Sequence, residues 1–190
     1  GGDRRVMVSE VEKLDLYLGP ERRVVSLEDI RALTPMSRAG VVFELGNAIA
    51  ERNLRRALDL LDILFFQRET PVGMMHVVII PTVRNLLLVK DLMTRHRLSR
   101  PAQPFFFGKT LEKLPASATA HLPRKKDGTL NAYALGIAAA HAHRYEVKEL
   151  TEALQAVLET SVRLVSSQLD PQIVLSELLV RIIGPKTAAR

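Results

Sequence analysis

The sequence contains no cysteine and no tryptophan. Without a thiol, disulfides, thiolate nucleophiles and cysteine-ligated zinc are excluded, which agrees with a reducing, cytoplasmic setting. Aromatic residues make up only 5% of the chain, too few for the interleaving with basic residues on which single-strand binders stack bases. Long apolar runs are missing too: a candidate around 86–89 is cut by Arg84 and Lys90. It falls well short of the roughly 18 to 20 residues that span a bilayer, so no membrane partner is expected. The opening Gly1-Gly2-Asp3-Arg4-Arg5 carries charge with no apolar core behind it, unlike a signal peptide. With no initiator Met, the chain is expected to begin inside a longer protein.

Catalytic signatures are absent as well. Gly108-Lys109-Thr110 ends like a phosphate loop, but the first glycine of that pattern would fall on Gln103. There is no dinucleotide fingerprint, no H-E-x-x-H and no G-x-S-x-G. His141 and His143 are two apart, which on a helix sets them on nearly opposite sides, unable to share a metal as an i, i+4 pair does. His76, His96 and His121 stand alone. The acid pairs Glu10 with Glu12 and Asp59 with Asp62 read as helix-surface charge. The expectation is no catalytic residue, no cofactor-binding residue, no metal ligand and no cofactor.

What is present is a helical protein. The 190 residues are 47% hydrophobic and 25% charged, a globular balance with enough chain for one core, or one domain and part of a neighbour. A net charge of +6 and a pI near 9.9 admit an acidic partner, DNA included. The basic residues are interleaved with acids along the helices, which favours a solvated surface. A nucleic-acid-binding helical domain, using the run Arg124-Lys125-Lys126 among others, is the alternative.

Residues 6–18 carry Val8, Val11, Leu14 and Leu18 at helical spacing, and Gly19-Pro20 stops them. Ser26 and Asp29 form a capping box for a short helix ending at Thr34-Pro35, and 34–40 reads as a linker. A helix over 41–51 follows. Asn53 caps the next, with Leu54, Ala57, Leu58, Leu61 and Phe65 on one face. Leu60, Ile63 and Phe66 widen that face enough to predict burial on two sides. Thr70-Pro71 opens a helix to about Arg97, kinked at Pro81, although Val77-Val78-Ile79-Ile80 also suits a strand. Residues 99–128 read as irregular, with a short helix over 109–113. Residues 131–143 are helical. From Val147, Leu150, Leu154, Val157, Leu158 and Leu164 make the next stripe, with Lys148–Glu152 and Glu159–Arg163 able to pair across a turn. Asp170-Pro171 starts a last helix with Leu175, Leu178, Leu179 and Ile182 inward, ended by Gly184-Pro185. Apolar arcs wider than usual at 54–66 and 171–183 leave surface for a partner.

Several of these segments resemble the delta subunit of the bacterial DNA polymerase III clamp loader. Glu10-Val11-Glu12-Lys13-Leu14 with Tyr17, then Ser26-Leu27-Glu28-Asp29-Ile30, is similar to the end of that family's second domain. Val42-Phe43-Glu44-Leu45 with Asn47-Ala48-Ile49, Arg56-Ala57-Leu58 with Leu61, and Arg84 with Leu86-Leu87 resemble its third, collar domain. Pro104-Phe105 before Lys109, and Tyr145 with Glu149-Leu150, Ala153-Leu154, Leu175 and Glu177-Leu178, continue the likeness. Residues 114–130 look like an insertion, and Thr160 with Arg163 stands where the family often has Asp and Lys. The resemblance implies an all-α helical bundle of collar type over 37–190, preceded over 1–36 by the last helices of a small AAA+-like lid domain. It implies a non-catalytic, cytoplasmic subunit that does not hydrolyse ATP. Its partners would be sibling subunits of gamma/tau and delta-prime type, with the sliding clamp reached through an N-terminal domain and DNA met in the full complex.

Overall fold

A computed structural model of the protein describes residues 2–21, 24–26, 29–30 and 37–184. They are all-α, with an isolated antiparallel bridge between Arg124 and Leu130 and no strand among the described residues. The chain divides into two compact units, up to Gly40 and from Val41 onward.

In the first unit, helix α1 (Gly2–Leu18) stops at Gly19, whose φ of 68° suits a residue without Cβ. The capping box forms: the Asp29 backbone N–H donates to Ser26 Oγ at 3.2 Å, and the Ser26 N–H donates to Asp29 Oδ2 at 2.9 Å. The expected helix end at Thr34-Pro35 lies outside the described residues.

The second unit is a helical bundle. Helix α2 (Arg38–Ala50) leads into α3 (Leu54–Phe66), capped by Asn53, which accepts from the Arg56 N–H at 3.1 Å. Ala57, Leu60, Leu61 and Leu64 of α3 are buried, but Ile63 and Phe66 are exposed. Burial on two sides therefore does not extend to the outer part of the arc, and apolar surface is left in water.

Thr70 caps α4 (Pro71–Met74) with Pro71 in its first turn. A π turn (Met75–Ile79) joins it to α5 (Ile80–His96), so the β-branched run is helical and not a strand. The cause is Pro81, which has no N–H and whose ring crowds the preceding turn. One extra residue in the turn, marked by the Ile80 N–H reaching back to the Met75 carbonyl, makes room for it. The continuous helical stretch 71–96 is long and apolar enough to cross a bilayer by length and composition, although charged residues interrupt its apolar runs. Here Met74, Ile79, Val83, Leu86 and Val89 are core, and α5 packs on its helical neighbours.

The segment predicted as irregular holds a 3-10 turn (Pro104–Phe106), α6 (Phe107–Glu112) and a short α7 (Ala116–Thr119). Helix α8 (Ala132–His141), capped by Asn131, ends in a second 3-10 turn (Ala142–Arg144). Helix α9 (Val147–Ser166) opens with a capping box between Glu146 and Glu149, and α10 (Pro171–Ile183) is capped by Asp170. α5 packs on α8 and α9, and α10 packs on α3 and α9.

Three helices end in the same way. Arg52, Arg68 and Arg97 have φ of 59°, 58° and 51°. After each, the next N–H reaches back five residues: Asn53 to Ala48, Glu69 to Leu64, Leu98 to Met93, all at 2.9 Å. This is the Schellman arrangement, with arginine at the left-handed position that glycine usually takes.

Candidate assembly interface

Helices α9 and α10 form an antiparallel hairpin. Arg163 pairs with Glu177, and Glu159 with Arg181, each at 2.9 Å. Stepping four residues back along α9 moves the partner four residues forward along α10, which fixes the register. The Glu159–Arg163 pairing expected within one helix is replaced by these two cross-helix rungs, because the facing helix brings each charge a partner.

Beside the rungs, Leu158, Val162 and Val165 are 67%, 55% and 76% exposed. Their i, i+4, i+7 spacing places them in one stripe along α9. Leu158, expected in the core, is thus on the outside. Leu169 in the connection and Ile173 and Val180 on α10 are also exposed. Gln172 of α10 donates 2.9 Å to Asp62 of α3, one turn before the exposed Phe66. A helical stripe of this spacing is a form in which helices are recognised by other helices.

The opposite ends of these helices meet at Arg52. Its guanidinium donates to both carboxylate oxygens of Glu149, at 3.1 and 3.0 Å, and to the Arg144 carbonyl at 2.8 Å. It also reaches the Ile183 and Gly184 carbonyls at 3.5 and 3.4 Å, and sits 4.6 Å above the Tyr145 ring. Glu149 in turn accepts from the Glu146 N–H at 2.8 Å, so the α9 capping box and the arginine share one carboxylate. Buried Tyr145 donates its hydroxyl to the Ile49 carbonyl. Burial pushes the phenol well above its ordinary range, and the Arg52 charge only partly offsets this. The knot ties the α2–α3 turn, the start of α9 and the end of α10 together, holding the hairpin that carries the stripe. The resemblance singled out Tyr145 and Glu149. Arg52 was missed, because nothing in Glu51-Arg52-Asn53 marks a left-handed arginine.

Aromatics group elsewhere. Exposed Phe43 stacks on Tyr133 with centroids 6.2 Å apart, and exposed Phe105 meets Phe106 edge-on at 5.9 Å. The basic run lies in a hairpin-like turn. The Lys125 N–H donates to Thr129 O at 2.8 Å, and Asp127 accepts from the Thr129 hydroxyl and N–H at 2.6 and 2.9 Å. Those bonds hold the Asp127 carboxyl below its usual range. Gly108-Lys109-Thr110 is part of α6.

His141 and His143 do not stand on opposite sides of one helix, since α8 ends at His141 and His143 lies in the 3-10 turn. Among the described residues no three His, Asp or Glu side chains gather as metal ligands would.

Residues 40–100 match the family described as DNA polymerase III delta subunit, C-terminal domain. No curated protein sequence matches the chain. Among solved structures, the Bacillus subtilis DNA clamp loader delta protein (YqeN) has a similar fold, with a TM-score of 0.57 and 20% identity. The similarity covers 93% of this chain and 45% of that one, so this chain spans less than half the length of its solved relative. In sequence over residues 40–100, and in its helical fold over most of its length, the chain is similar to the clamp-loader delta subunit.

Proposed function

We propose that this chain is the assembly region of a clamp-loader delta subunit, with 1–36 the end of an AAA+-like lid domain and 37–190 the collar. It is non-catalytic. It joins sibling subunits of gamma/tau and delta-prime type in the cytoplasm, so that the full protein, through its N-terminal domain, opens and loads the sliding clamp on DNA. The observation that carries this reading is the apolar stripe Leu158–Val162–Val165, left in water on a hairpin whose register is locked by two ion pairs. Burying such a stripe against a partner helix contributes about 25 cal/mol per Å² of apolar area. Co-purification with the sibling subunits at low and high salt tests it. A complex that survives high salt supports assembly through apolar faces. Failure to form a complex at either salt rejects the reading.

A further inference from the structure

The fold gathers positive charge at one place for which neither its packing nor the assembly reading has a use. Lys90, on α5, donates 3.1 Å to the Ala142 carbonyl, which brings its ammonium to the 3-10 turn after α8. Arg144, in that turn, donates 3.2 Å to the Glu51 carbonyl. Arg100, beyond the end of α5, lies close enough to His141 and His143 for its charge to act on both. Glu51 is an acid whose charge opposes theirs at His141.

We propose that Lys90, Arg100, His141, His143 and Arg144 form a binding site for a phosphate group. Segments far apart in sequence supply the donors, and most of those donors are unspent. An ammonium has three N–H groups and a guanidinium five, yet Lys90 and Arg144 each make one hydrogen bond and exposed Arg100 makes none. The buried Nδ1 of His141 has no hydrogen-bond partner either. Gathering like charges costs energy unless an anion joins them, and a phosphate offers several acceptor oxygens to converging donors where a carboxylate offers two.

Burial, and then the neighbouring guanidinium groups, hold both imidazoles below their ordinary range. A bound anion reverses that bias, so affinity rises as pH falls and the histidines gain protons. The charges that act most on them are those of Glu51, Lys90, Arg100 and Arg144, and the Ala140 backbone bonds to His143. The site stands independently of the assembly reading, and its phosphate is either part of a nucleic-acid backbone or free.

The test uses the 190-residue chain with two probes, a labelled single-stranded oligonucleotide and inorganic pyrophosphate. Binding is measured at about 50 mM salt and above for the wild type, Arg100→Glu, Arg100→Ala and Lys125→Glu. Lys125→Glu makes the same charge change in the distant basic turn, and circular dichroism checks that every variant is folded. Arg100→Glu is expected to weaken binding by about tenfold or more, and Arg100→Ala to lower the salt slope for the oligonucleotide by about one. Arg100-dependent binding of the oligonucleotide assigns the phosphate to nucleic acid, and Arg100-dependent binding of pyrophosphate alone assigns it to a free anion. Equal weakening by Lys125→Glu overturns the proposal, as does a failure of both probes to bind.

Discussion

Arg52 grips Glu149 with two nearly parallel hydrogen bonds although 97 residues separate them. The arginine reaches that carboxylate from a backbone conformation that residues other than glycine usually avoid. The same residue type ends α3 and α5 in the same conformation, so the three positions form an internal comparison.

Glycine at Arg97 relieves the left-handed backbone, and Arg97→Gly is expected to stabilise the fold by about 0.5 to 1 kcal/mol. Arg52→Gly relieves the same strain but strands Glu149 and frees the carbonyls of Arg144 and Gly184. It is expected to destabilise by about 2 kcal/mol or more, since a largely buried carboxylate loses its ion-pair partner. Urea denaturation of both variants against the wild type reads the difference, and opposite signs are the expected outcome.

Tyr145 gives a pH signature. Its folded pKa lies above the ordinary 10.0, so the stability tied to its neutral form is complete below pH 10.0 and is lost as pH rises through the folded value. Tyr145→Phe removes this dependence and costs about 1 kcal/mol at neutral pH through loss of the bond to Ile49. Melting curves collected at rising pH should converge, with the wild type losing its advantage in the alkaline range.

Gly136 sits where α8 crosses the 3-10 turn that begins at Pro104, and a Cβ there would overlap the Pro104 carbonyl oxygen. The obstacle is backbone, with no flexible side chain to yield. Gly136→Ala is therefore expected to cost about 2 to 3 kcal/mol by overpacking, read as a lower thermal midpoint. An unchanged midpoint would show that the turn moves aside freely.

On α9, Leu158→Glu and Val165→Glu place charge on side chains that face water. Stability should change by no more than about 0.5 kcal/mol, while binding to sibling subunits is lost. Sedimentation of mixtures separates the two effects, and wild-type assembly by the double variant would remove the stripe from the interface.

Much of the fold was legible because its punctuation is chemical. Asn53 and Asp170 accept backbone N–H groups where the sequence placed caps, Thr70 and Asn131 do so where it placed helix starts, and Ser26 and Asp29 bond reciprocally. The outward turn of Ile63, Phe66 and Leu158 was not legible, because periodicity gives the width of an apolar arc but not how much of it neighbours cover. Glu159 and Arg163 satisfied a local pairing rule, yet the tertiary fold gave each a partner on α10. The knot around Arg52 was invisible for a related reason. Its partners come from distant turns, and its left-handed backbone lacks the glycine that announces such a position.

The π turn before Pro81 also sets a helical phase. Each residue in an α-helix advances the chain by about 100° around the axis, and the wide turn takes up one residue without that advance, so tightening it to α geometry with all its residues kept would rotate everything beyond it by that angle. Val83, Leu86 and Val89 would swing out of the core while Met74 stayed within it. The wide turn thus works as an indexing tooth: by absorbing the surplus residue it lets one continuous helical stretch present two successive segments to the same interior.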